Sequence, residues 1–108
     1  MFLEQSNYKW EKIDENLDRA VVGYDYSLML TIVRFKKGGI GKLHQHIHSQ
    51  AAYIASGSFE VQIEENKKVL KTGDSFFLGT DIMHGVICLE DGVLIESFSP
   101  LRADFLNR

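Results

Sequence analysis

Short apolar runs, broken by turn signals about every 8–12 residues, constrain this chain more than any other feature. Ser27–Phe35 (SLMLTIVRF) is rich in β-formers and stops at Gly38-Gly39. Phe59-Glu-Val-Gln-Ile63 alternates apolar and polar residues, the two-residue period of a half-buried strand. Glu64-Glu65-Asn66-Lys67 reads as a hairpin turn into Lys68–Lys71, and Thr72-Gly73-Asp74 as a turn before the short strand Ser75–Leu78. Asp91-Gly92, between His84–Leu89 and Val93–Phe98, is a strong hairpin signal. Tyr8–Asp18 is mixed and polar, and fits an arm, an edge strand or a helical turn. No segment carries the apolar stripe of a helix. Nine glycines and one proline suit strands joined by tight turns. The pattern predicts an all-β sandwich or small barrel of about seven or eight short strands.

Composition removes several classes of function. A chain of 108 residues is one domain. Twelve Lys+Arg against fifteen Asp+Glu leave a formal charge of -3. The densest basic patch is Arg34, Lys36 and Lys37, interrupted by Phe35, so no nucleic-acid partner is expected. No apolar stretch approaches the roughly 18–20 residues of a membrane span. Cys88 is the single cysteine, so no internal disulfide forms. Met1–Gln5 has neither the basic nor the apolar region of a signal peptide, and a cytoplasmic protein is expected.

The histidines concentrate the chemistry. Three lie in His44-Gln-His-Ile-His48 and the fourth is His84. On a strand His44 and His46 face the same side, about 6.6–7 Å apart, close enough to converge on one ion if the strand curves. Gln50 shares their parity, but a straight strand would carry it about 20 Å from His44. For Gln50 to join the site, the chain must turn or bulge after His46, which swings His48 to the rim. A distant strand must then supply the last ligand, and His84 is the histidine left for it.

The spacing Gly38-X5-His44-X-His46-X3-Gln50-X6-Gly57 resembles the first motif of the cupins. Gly73-X5-Gly79-X-Asp81-X2-His84 resembles the second. Gln50 stands where most cupins have Glu, Gly79 and Asp81 stand at the second motif's Pro and Gly, and Cys88 falls on its terminal Asn. The resemblance implies a single-domain, all-β cupin, a double-stranded β-helix or jelly-roll barrel. It also implies a divalent transition metal (Zn, Ni, Fe, Mn, Co or Cu) held by His44, His46, Gln50 and His84 in the barrel mouth.

The two ends extend the likeness. Met1-Phe2 and the run Glu96–Leu106, with Phe98, Ser99, Pro100, Arg102, Asp104, Phe105 and Leu106 at matching places, resemble the small cupins of pectin and alginate breakdown. Those proteins open 4,5-unsaturated monouronates to the linear keto-deoxyuronate. Ser49 replaces that group's Glu, and Glu96 replaces the Asp thought to act in its catalysis. The resemblance implies a sugar-acid substrate and a homodimer built through sheet edges and the leading segment. The expected layout is an N-terminal arm at 1–20, a barrel core at 21–99 and a tail at 100–108.

Physical chemistry sharpens these roles. Three imidazoles and an amide are neutral ligands and leave an ion its full 2+ charge, which suits an anionic sugar. Leu94, Glu96 and Phe98 share one parity, so a core-facing Phe98 turns Glu96 inward as well. A buried carboxylate is costly unless paired or functional, and with a raised pKa it can move the proton of an anomeric hydroxyl. Glu96 is therefore the expected catalytic group, and Arg102 the residue that pairs with substrate charge. Phe98 is expected against the substrate, Phe59, Phe76 and Phe77 in the core, and Tyr53 in the core with reach to the substrate. Cys88 is expected to be an inert buried thiol. The alternatives are a non-catalytic sugar- or metal-binding cupin, or another metal cupin enzyme, an isomerase or a dioxygenase.

Overall fold

Eight strands and two 3₁₀ turns, Gln5–Asn7 and Ala103–Phe105, make up the regular structure in the computed structural model, which describes residues 1–106. The strands are β1 (Trp10–Asp14), β2 (Leu17–Tyr24), β3 (Met29–Phe35), β4 (Ile40–His44), β5 (Ser49–Ile63), β6 (Asn66–Lys71), β7 (Ser75–Leu78) and β8 (His84–Ser99). No described helix is long and apolar enough to cross a membrane.

The two long strands form the spine. β5 and β8 run antiparallel from Ser49 opposite Ser99 to Ile63 opposite His84. The end of β8 also pairs with β3 and the start of β5 with β7. The start of β8 pairs with β4 and the end of β5 with β6. One layer is therefore β1-β2-β3-β8-β5-β7 and the other β4-β8-β5-β6, with the spine bending from one to the other. β1 and β6 end the hydrogen-bonded path, so the sheet curls into a jelly roll without closing.

The bend lies at Ser56–Ser58, where the β5–β8 register shifts. Gly57 has φ +82°, and a Cβ there would lie 2.5 Å from the Asp91 carbonyl oxygen. Only glycine meets both conditions. Inward residues of both layers then interdigitate: Ile54, Phe59, Leu78, Leu94 and Cys88 are almost wholly buried. Phe35 meets Phe59 edge-to-face at 5.1 Å. Each such aliphatic or aromatic side chain contributes about 1.5–3 kcal/mol of burial.

The expected strand Ser75–Leu78 and the hairpin after Ile63 hold, with the turn tightened to Glu64-Glu65 and the next strand starting at Asn66 instead of Lys68. Three other expectations do not hold. Asp91-Gly92 makes no hairpin: β8 runs on from His84 to Ser99. Both flanks pair with the same strand, β5, and Asp91 Oδ1 accepts the Lys37 backbone N–H at 2.7 Å. Tertiary pairing here overrides a local turn signal. Phe77 is outside the core at 68% exposure, because β7 alternates and turns Phe76 and Leu78 inward. Within the expected arm 1–20, Trp10–Asp14 and Leu17 onward are strands of the sheet. The Arg34 guanidinium lies 3.5 Å from the Trp10 ring and fastens β1 at the sheet edge.

Candidate metal centre

β4 ends at His44, the chain turns through 45–48, and β5 begins at Ser49. This is the turn the Gln50 argument requires. His44 sits opposite His84 in the β4–β8 ladder, and Gln50 opposite Phe98 in the β5–β8 ladder. The ligand atoms of His44, His46 and His84 lie within 4.8 Å of one another. Exposure falls from His44 through half-buried His46 to buried His84, which puts the cluster at the mouth of a cavity.

Each of these imidazoles is oriented by a backbone carbonyl. Nδ1 of His44 meets Lys42 O at 2.6 Å, Nδ1 of His84 meets Ile82 O at 2.8 Å, and Nδ1 of His46 meets His48 O at 3.2 Å. This pattern assigns the Nδ1–H tautomer and leaves each Nε2 lone pair for a common centre. Gln50 completes the set. Its Nε2 donates to Glu96 Oε2 at 2.6 Å, which turns its Oε1 toward His46 Nε2 at 3.0 Å. Two lone pairs facing at that distance call for a proton or a cation between them. Two ligand atoms about 2.1 Å from one ion and at right angles are also about 3.0 Å apart. The donor set therefore fits a divalent transition ion.

Burial holds the imidazoles in the form a metal needs. His84 is pulled down to about 4, chiefly by desolvation, against the favourable Ile82 carbonyl and aided by His44 and His46. His46 is also lowered, again chiefly by desolvation. Both are neutral at neutral pH.

Behind the cluster is a cavity of about 510 Å³, lined among others by His44, Gln50, His84, Glu96, Phe98 and Arg102. Desolvation lifts the Glu96 carboxyl to about 7, against the pull of Arg102 and Arg19. Arg102 Nε and Nη2 donate to the two Asp104 carboxylate oxygens at 3.0 and 2.9 Å. Arg102 thus lines the cavity and also ties down the tail. His48 stands at the rim, with its Nε2 on Leu101 O at 3.0 Å.

Known proteins fit this geometry. The cupin domain family matches residues 31–96. The pectin degradation protein KdgF of Dickeya dadantii (strain 3937) is 50% identical over 99 residues, 90% of each chain. This chain belongs to the KdgF-type cupins. Among solved structures, KdgF from Halomonas sp. superposes with a TM-score of 0.93 at 36% identity, over 97% of both chains. An RmlC-like cupin from Shewanella frigidimarina NCIMB 400 also gives 0.93, at 39% identity, over 96% of this chain and 94% of that one.

In this KdgF-type cupin one expected substrate contact is misplaced. Tyr53 lies on the outer face, where it lines a separate groove with Phe77 and Ile95. It is 47% exposed, because Gln50, Ala52 and Ile54 take the inward parity of β5. Phe98 is buried and lines the cavity, as expected, with its ring centroid 5.9 Å from that of His46. The cavity residues not expected from the sequence as substrate contacts include Arg19 of β2 and Phe105 of the tail. For Arg19 the signal was an arginine at the inward parity of Leu17, which lines the same cavity.

Proposed function

We propose that this cupin opens the ring of 4,5-unsaturated uronate monosaccharides to the linear 5-keto-4-deoxyuronate. His44, His46, Gln50 and His84 would hold a divalent transition metal. Such an ion, when bound, supplies a Lewis acid for substrate oxygens, and these neutral ligands leave its charge intact. The 50% identical pectin degradation protein supports the pathway, and the cavity supports the chemistry.

The observation that carries the reading is the Glu96 carboxyl. It faces the cavity, accepts from Gln50, and has a pKa lifted to about 7. A carboxyl poised there can both take and return a proton near neutral pH. Ring opening asks for both. The anomeric hydroxyl loses its proton, the bond from C1 to the ring oxygen breaks, and C4 gains a proton as the enol becomes the ketone. The net change is an isomerisation and needs no co-reactant. Glu96 takes the first proton and delivers the second. Phe98 presents an apolar wall that keeps water from the reacting ring, and Arg102 adds positive charge for the substrate carboxylate. The His48 side chain anchors the tail through Leu101, and its backbone carbonyl orients His46.

The test is Glu96→Gln in metal-loaded protein. The account expects kcat to fall by about 10²–10⁴-fold with metal content unchanged. Full activity in that variant would contradict it.

A further inference from the structure

Among the cavity's charged residues without an assigned role, Arg19 is the one whose guanidinium packs beside that of Arg102. It lies on β2, opposite Glu11 of β1 and Val33 of β3, and Val33 in turn pairs with Leu94 of β8. Glu96 pairs one residue pair further along the inward face, opposite Thr31. The Arg19 side chain is 13% exposed and that of Arg102 is 12% exposed. Their origins differ: Arg19 belongs to the sheet wall and Arg102 to the C-terminal tail. Yet both guanidiniums pack on one ring. The Arg19 Cζ is 3.6 Å from the Phe105 centroid, and the Arg102 Cζ is 4.2 Å from it.

Each guanidinium also has a carboxylate on its flank, Glu11 at 3.4 Å and Asp104 at 2.9 Å. Stacking and flanking pairs fix the planes of both groups before any ligand arrives. Both charges act on Glu96 and pull its pKa down against burial. Two oriented guanidiniums at one cavity suit a planar anion, because the guanidinium fork matches a carboxylate.

We propose that Arg19 is a specificity residue: with Arg102 it binds the carboxylate of the substrate, so that the cavity takes sugar acids and rejects neutral sugars. The inference rests on the uronate reading above and adds a residue from β2 to the site. Phe105 is the positioning residue that aligns both arginines.

The experiment compares metal-loaded wild type, Arg19→Met and Arg19→Lys on unsaturated galacturonate and on its methyl ester. Thermal shifts with saturated galacturonate and with galactose accompany it. Loss of a hydrogen-bonded charge contact is expected to raise KM for the acid about 10–100-fold in Arg19→Met, with a smaller change in kcat. The ester is expected to be affected little, so the acid-over-ester preference collapses. Arg19→Lys keeps the charge without the fork, and its KM for the acid is expected to rise by about fivefold or more. It carries the test if Arg19→Met does not fold. Either variant, folded and metal-loaded, that kept the wild-type KM and preference would overturn the inference while leaving ring opening intact. Wild type that turned nothing over, yet was stabilised by galacturonate only when Arg19 is present, would overturn ring opening and leave Arg19 in place.

Discussion

Glu96→Gln in the metal-free protein isolates the electrostatic core of the site. Burial raises the Glu96 pKa from 4.5 to about 7, against two arginines. The native state therefore holds the Glu96 proton more tightly than the unfolded chain does. The sign follows directly. Below pH 4.5 both states are protonated and nothing is lost. As pH rises from 4.5 the unfolded chain ionises first and stability falls, until near 7 the native carboxyl also ionises in its desolvated place and a lower plateau is reached. The gap amounts to at most about 3 kcal/mol, or roughly 12–24 °C in Tm for a domain of this size. Gln is nearly isosteric and its amide oxygen still accepts from Gln50 Nε2, so the variant removes the titration and keeps the contact. Urea denaturation of both metal-free proteins from pH 4.5 to 8.5 reads the difference. The variant is expected to match wild type at the acid end, to exceed it progressively from pH 4.5, and to keep a constant lead above about pH 7. Parallel curves across the range would refute a desolvated Glu96. His84 works in the opposite direction. Its pKa is lowered to about 4, so its contribution is lost as pH falls from 6.5 through 4. The two windows overlap between about pH 4.5 and 6.5, where their opposite slopes offset each other, so metal-free wild type is expected to hold a plateau of stability there and to lose stability on either side.

Other outcomes are specific to single residues. His84→Ala removes a buried imidazole from the cluster and is expected to lower metal affinity by more than about 100-fold, beyond the usual loss of a supporting hydrogen bond; metal analysis of the purified variant showing wild-type occupancy would refute ligation. Gly57→Ala puts a Cβ against the Asp91 and Glu90 carbonyls at a positive φ and is expected to cost about 2–4 kcal/mol. An unchanged urea midpoint would mean that the spine does not need its close crossing there. Tyr53→Ala, on the outer face, is expected to leave kcat/KM within about twofold, as surface changes usually do. A tenfold loss would return Tyr53 to the substrate.

The site was more legible in the sequence than the sheet that carries it. If Gln50 is to meet His44 at one ion, the interval between them demands a turn, and the structure turns at 45–48. Inward parity on β8 placed Glu96 beside Phe98 for the same reason, since a strand alternates without exception over so short a stretch. What escaped was decided by pairing across the molecule. Asp91-Gly92 has hairpin chemistry, but both of its flanks find one partner in β5 and the strand continues. Tyr53 and Phe77 are aromatic in strands and look like core, yet their parity turns them outward. Trp10–Asp14 carries too few apolar residues to declare itself a strand and is held at the edge by β2 and by Arg34. Arg19 shares the parity of Leu17, but its place at the cavity depends on the order β2-β3-β8, which no local pattern encodes.

The most direct measurement is a proton NMR time course of freshly generated 4,5-unsaturated galacturonate with metal-loaded protein, run beside His84→Ala. The account predicts loss of the ring signals faster than the spontaneous rate and growth of the linear keto product, both abolished in the variant. Decay at the spontaneous rate with every divalent transition metal tried would contradict it.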